Sequence, residues 1–188
     1  MYDLILRNFA MHILIHEDEQ RHVLAGLQHR NVKKNEVLLQ ADEICRNVYF
    51  VNQGCLRLFH TDREGQDHNI LFCPEGWWAA DMASFSAQKP AFFSISALED
   101  TEVLYFNFNV LERLYLEIPK LERFFRILSQ NGFSLFQRRL TSSHSQTAEE
   151  RYARFQRLYP ALERRIAQKH IASYLGITPV FLSVIRNK

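Results

Sequence analysis

Cysteine is scarce in this chain and badly placed for cross-linking: 188 residues hold only Cys45, Cys55 and Cys73, none in C-x-x-C spacing. Three such thiols argue against a disulfide scaffold and against a structural zinc site. Glycine (6) and proline (5) are also few, which excludes collagen-like and low-complexity classes. No apolar run approaches the roughly 20 residues that span a bilayer, so no membrane partner is expected. The first residues, Met1 to Arg7, lack a basic stretch followed by an apolar one, so no secretory signal is expected. These absences read as a soluble cytoplasmic protein. Nucleophile-elbow, HExxH, Walker A and GxGxxG strings are missing too, and no Asp/Glu pair stands out as acid and base. The expectation is no enzyme, no catalytic residue, no metal and no cofactor.

What is present is a core. Hydrophobic residues make up 47% and aromatics 13%, too much for a disordered chain. The net charge of +2 hides a split. From Arg138 onward there are ten Lys/Arg against three Glu, a net +7, while the remainder carries −5. A basic tail on an acidic body suits a phosphate-backbone partner, although a solvated helical surface would carry the same charge.

Periodicity divides the chain. Leu4, Phe9, Ile13, Val23, Leu24 and Leu27 have helical spacing, which predicts helix through residues 1–30, with Asp18 ahead of a helix start. Six short apolar runs follow, beginning near Val37, Val48, Cys55, Asn69, Ser94 and Glu102 and separated by Gly, Asp and Asn turns. They predict a small antiparallel sandwich or barrel. From Pro119 to Ser142 an amphipathic helix is predicted, its broad stripe containing Leu121, Phe124, Phe125, Leu128 and Leu135. That stripe needs a cover, either the chain's own sheet or a second copy. Thr141–Gln146 is polar and reads as a hinge, and Thr147 with Glu150 forms a capping box for a new helix.

The tail then reads helix, turn, helix. Ile171 and Leu175 share a face, Ala172 permits close approach, and Gly176 suits a left-handed helix end. Thr178 can cap the next helix, Pro179 fits its first turn, and Leu182 and Ile185 return to the core. This is a helix-turn-helix pattern.

In this order, the segments Val48-Tyr49-Phe50-Val51-Asn52-Gln53-Gly54, Glu75-Gly76-Trp77-Trp78, Ala97-Leu98-Glu99-Asp100-Thr101-Glu102-Val103 and Ile171-Ala172-Ser173-Tyr174-Leu175-Gly176-Ile177-Thr178 resemble the Crp/Fnr family of bacterial transcription regulators, the tail especially its Bacteroidetes branch. The resemblance implies an α+β fold: an N-terminal helix and antiparallel β-roll of the cyclic-nucleotide-binding type (1–118), a long dimerisation helix (119–142) and a small all-α helix-turn-helix domain (147–188). It implies a homodimer that binds double-stranded DNA.

Two departures from the family pattern stand out. In cyclic-nucleotide-binding members a Gly-Glu pair and a later Arg-Ser or Arg-Thr pair hold the ribose and the cyclic phosphate. Ala80-Asp81 and Ala91-Phe92 stand there instead, and Lys89 is the only Lys or Arg between Arg63 and Arg113. Without the arginine no tight cAMP binding is expected. The pocket of Trp78, Ala80, Asp81, Ala91 and Phe92 is expected to be filled by its own aromatics or to take an apolar or uncharged effector of unknown identity. In the second departure, Pro179, Val180, Phe181 and Val184 occupy the face where base-reading side chains are needed. Lys169, His170, Thr178, Pro179, Val180, Ser183, Arg186 and Lys188 are the expected DNA contacts, and no wing is expected after Lys188. The alternative is a β-roll sensor or protein-interaction module that has lost sequence-specific DNA binding. His12 and His16 have metal-compatible spacing but no nearby partner, so they read as a surface pair. The first cysteine comes too late for an N-terminal iron–sulfur motif.

Overall fold

The computed structural model describes residues 1–187. Two short helices, α1 (Asp3–Ala10) and α2 (Glu17–Gly26), open the chain. Ile5 and Phe9 of α1, one turn apart, are fully buried. α2 starts at Glu17 with His16 as its cap, and the Glu19 carboxylate accepts the His16 N–H at 2.8 Å. Residues 1–30 are therefore not continuous helix. The chain breaks at Met11–His16, and Gln28–Val32 is already strand β1.

Seven further strands follow: β2 (Val37–Leu39), β3 (Asn47–Gln53), β4 (Leu56–Thr61), β5 (Asp67–Cys73), β6 (Trp78–Ala79), β7 (Ser94–Ala97) and β8 (Thr101–Asn107). They form two four-stranded sheets, β1-β8-β3-β6 and β2-β7-β4-β5, with antiparallel pairing throughout. Phe50, Leu56, Ile95, Val103, Leu104 and Phe106 are fully buried in the shared core. Gly54 closes the β3–β4 turn at φ +93°, where a Cβ would lie 2.5 Å from Thr101 Oγ1 and 2.8 Å from the Asp100 carbonyl. Only glycine fits that close approach.

Helix α3 (Met82–Ala87) interrupts the roll, and α4 (Phe108–Glu117) leaves it, capped by Asn107. The long helix α5 runs from Lys120 to Ser145, 26 residues or about 39 Å. Its first half lies on the roll: the ring centroids of Phe124 and Phe9 are 4.7 Å apart, and those of Phe125 and Trp78 5.1 Å. The expected hinge at Thr141–Gln146 is largely helix, and only the extended Gln146–Thr147 step separates α5 from α6 (Ala148–Leu158).

A 3-10 turn (Leu162–Arg164), α7 (Gln168–Leu175) and α8 (Pro179–Arg186) complete the tail. Gly176 ends α7 at φ +67°, and the Thr178 hydroxyl caps α8 by accepting from Phe181 N–H. Tyr152, Phe155, Tyr159, Leu162, Ile171, Leu175, Leu182 and Ile185 make a second core, which Cys55, Phe72 and Leu98 of the roll join. The tail is thus packed onto the roll through apolar contact.

Candidate functional site

The cassette between β6 and β7 centres on Asp81. The residue is 3% exposed and its carboxylate caps α3. Oδ1 accepts Ser84 N–H at 3.0 Å, and Oδ2 accepts Phe92 N–H at 2.9 Å and Phe93 N–H at 3.0 Å. Backbone N–H groups at a helix start are a natural anion seat, and here the chain's own carboxylate takes them. Ala91 is buried and pairs its backbone with Glu43 and Asp42, while Ala80 is half-buried.

Of the aromatics expected to fill this pocket, Trp78 and Phe92 turn away from it, while Phe93 is half-buried against the core. Phe92 is 61% exposed and stacks outward on His60, centroids 4.4 Å apart. Trp78 turns toward the helices, among Phe9, Phe50, Phe106, Phe124 and Phe125, and its indole N–H donates to Asn8 Oδ1 at 2.9 Å. The physical reason is area: a wide indole gains more by closing the roll–helix junction than by lining a small cassette.

On the tail, Thr178, Pro179, Val180, Phe181, Ser183 and Val184 all lie on the outer face of α8, with Val180 77% exposed. Lys169 is exposed at the start of α7. Two of the expected contacts face elsewhere. The Arg186 guanidinium pairs with Glu163 at 2.9 Å. His170 points at the roll, its Nδ1 3.5 Å from both Arg57 Nη1 and Asn69 Nδ2. Both neighbours are donors, so Nδ1 is the acceptor and the ring is neutral. Burial, then the Arg57 charge, lowers its pKa to about 4. Lys188 lies outside the described residues.

Along α5, Leu121, Phe124 and Phe125 belong to the chain's own core and are not available to a second copy. Leu128 and Leu135 are half-buried beside a groove at Gly132. The exposed apolar residues are Phe133, Phe136 and Leu140, three and four apart, with Phe136 also lining that groove.

Three residues that the sequence reading passed over join the tail to the roll. Ser173 Oγ accepts Asn69 N–H at 2.9 Å and donates to Asp67 O at 2.8 Å. Arg165 bonds Glu75 at 2.6 and 2.9 Å and also bonds Glu99. Arg139 donates to the carbonyls of Ile70, Asn69 and Tyr174 and lies 3.9 Å above the Tyr174 ring. The one available signal was Arg139 itself, a charge interrupting an otherwise apolar stripe. Among the described residues no three His, Cys, Asp or Glu side chains group as metal ligands, and the buried cysteines do not converge to hold an iron–sulfur cluster.

Residues 29–117 match the model of the cyclic nucleotide-binding domain. The chain is 26% identical over 158 residues to the anaerobic regulatory protein of Pasteurella multocida, covering 78% of this chain. It spans only 57% of the length of that relative. FixK2 from Bradyrhizobium japonicum has a similar structure, with TM-score 0.75, 19% identity, and 86% of this chain and 83% of that one covered. The catabolite activator protein of Thermus thermophilus gives TM-score 0.59 and 19% identity over 92% of this chain and 83% of that one.

Proposed function

We propose that this chain, which belongs to the Crp/Fnr family, is a homodimeric DNA-binding transcription regulator whose β-roll does not respond to cAMP. The helix-turn-helix of α7, Gly176 and α8, with its second helix face open to solvent, carries the DNA-binding half of this reading. The second half rests on Asp81, which already occupies the Ser84, Phe92 and Phe93 N–H groups, and on the missing arginine. A second anion there would meet a buried carboxylate instead of a guanidinium. In the proposed dimer, Phe133, Phe136 and Leu140 of α5 meet their copies, and two-fold symmetry spaces the half-sites by about 34–36 Å.

The face of α8 favours one further reading. Val180, Phe181 and Val184 are exposed and Arg186 is neutralised by Glu163, which suits docking to a protein. Random-library DNA selection at two salt concentrations, with and without cAMP, separates the readings. The regulator yields an enriched palindrome, lost at high salt and indifferent to cAMP. No enrichment at either salt, or enrichment only with cAMP, overturns it.

A further inference from the structure

Between α5, α6, α7 and β5 lies a half-open cavity of about 220 Å³. Three guanidinium side chains line it, Arg139, Arg151 and Arg154, and no Asp or Glu does. Ser142, Ser143 and Ser173 add hydroxyls, and Leu135, Phe155 and Leu158 add an apolar wall. A shallower groove beyond Arg154 brings in Arg138 and Arg157, again with no acid in its lining.

None of the three cavity arginines has a carboxylate partner among the described residues. They are held instead by backbone carbonyls. Arg139 is tied as described above, Arg151 donates to Leu175 O at 3.2 Å and Gln146 O at 2.7 Å, and Arg154 donates to Arg138 O at 3.0 Å. Carbonyl bonds orient a guanidinium without cancelling its charge, and each has five N–H donors. Arg151 and Arg154 thus keep further donors free. Elsewhere the chain neutralises its half-buried cations: Arg57 pairs with Asp67 and Arg165 with Glu75. Three uncompensated guanidinium groups around one cavity are a cost that a bound anion removes.

We infer that this cavity is a binding site for a small phosphorylated organic molecule, its phosphate on Arg151 and Arg154 and its apolar part on Leu135, Phe155 and Leu158. The walls come from both the roll and the tail, so an occupant braces the tail against α5. Backbone phosphate of DNA carries the same charge, but the apolar wall of Leu135, Phe155 and Leu158 suits a small ligand with an apolar part better than a sugar-phosphate chain. The inference does not rest on the DNA-binding reading, because occupancy is measured without DNA.

The test is calorimetric titration of the full chain with inorganic pyrophosphate and phenyl phosphate in a phosphate-free buffer. Variants Arg151→Gln and Arg154→Gln are compared with Arg123→Gln, an exposed arginine near the start of α5. Saturable binding that weakens at least tenfold in Arg151→Gln or Arg154→Gln, but not in Arg123→Gln, supports the site. Circular dichroism and the melting temperature of each variant exclude loss of fold as the cause. No saturable binding, or binding unchanged in both cavity variants, overturns it. Loss of DNA retention in these variants without any small-phosphate binding also overturns it and assigns the arginines to nucleic acid.

Discussion

Ser173 stands beside Asn69 as a stand-in for the next strand of the sheet. β5 is an edge strand, and the serine hydroxyl accepts the Asn69 N–H and donates to the Asp67 carbonyl. A single side chain on α7 thereby continues the hydrogen bonding that the sheet leaves open. Ser173→Ala should cost about 1–2 kcal/mol, the penalty for leaving a part-buried N–H unpaired. Urea denaturation measures the loss, and amide exchange at Asn69 should accelerate while exchange in β3 and β8 stays slow.

Asp81 has a comparable duty inside the roll, with three N–H groups on one carboxylate. Asp81→Ala should destabilise by about 2–4 kcal/mol through a lost cap and newly unpaired donors. Asp81→Asn, which keeps an acceptor oxygen, should cost less. The proposed function adds that neither variant gains cAMP affinity, since no arginine enters the cassette.

His170 ties stability to pH. Its folded pKa is about 4 against an ordinary 6.5, through burial first and the Arg57 charge second. Arg57, Lys169, Asp67 and Lys34 are the charges around it, and only Asp67 opposes the shift. Protonation therefore favours the unfolded chain. The neutral imidazole's contribution is complete above about pH 6.5 and is lost as pH falls toward 4. His170→Gln should flatten the acid limb of the urea midpoint over that interval and leave the limb above pH 7 unchanged.

Phe136 and Leu121 lie on one helix with opposite fates. Phe136→Glu should turn a proposed dimer into monomers in sedimentation velocity, with the melting temperature of the monomer fold kept. Leu121→Glu places a charge at a fully buried position and should instead prevent folding, since the penalty of several kcal/mol rivals the total stability of a domain.

Tyr159 carries a buried hydroxyl with no hydrogen-bond partner among the described residues, in a cluster with Phe72, Trp77, Phe155 and Tyr174. Tyr159→Phe should be neutral or stabilising by up to about 1 kcal/mol. A loss larger than that in thermal unfolding would mean that the hydroxyl has a partner in solution.

The six apolar strands and the tail motif were legible because burial writes a period into sequence. β1 was not, since Gln28-His29-Arg30-Asn31-Val32 buries only Val32 and so has no apolar alternation. The polar run Thr141–Gln146 looked like a hinge, yet up to Ser145 its hydroxyls turn back onto the helix: Thr141 donates to Gln137 O, Ser143 to Leu140 O and Ser145 to Thr141 O. Side chains that satisfy themselves locally are compatible with helix even where composition suggests a loop. His170 misled for a geometric reason. It follows Lys169, but neighbours on a helix point about 100° apart, so one faces solvent while the other faces Arg57. Trp78 misled because its position in a motif gives no direction for a side chain that the fold can use on either side.

The bond between Asn69 and Ser173 spans 104 residues of chain. The roll has all of its strands once Asn107 exists, and the rim of β5 is then covered in two steps: Arg139 of α5 takes the Asn69 and Ile70 carbonyls, and Ser173 of α7 later takes the Asn69 N–H. During synthesis, at roughly 5–20 residues per second, that rim faces other nascent chains for several seconds. A chain cut after α5 would leave the Asn69 N–H and the Asp67 carbonyl open to a foreign strand at this margin, an opening that Ser173 closes in the whole chain.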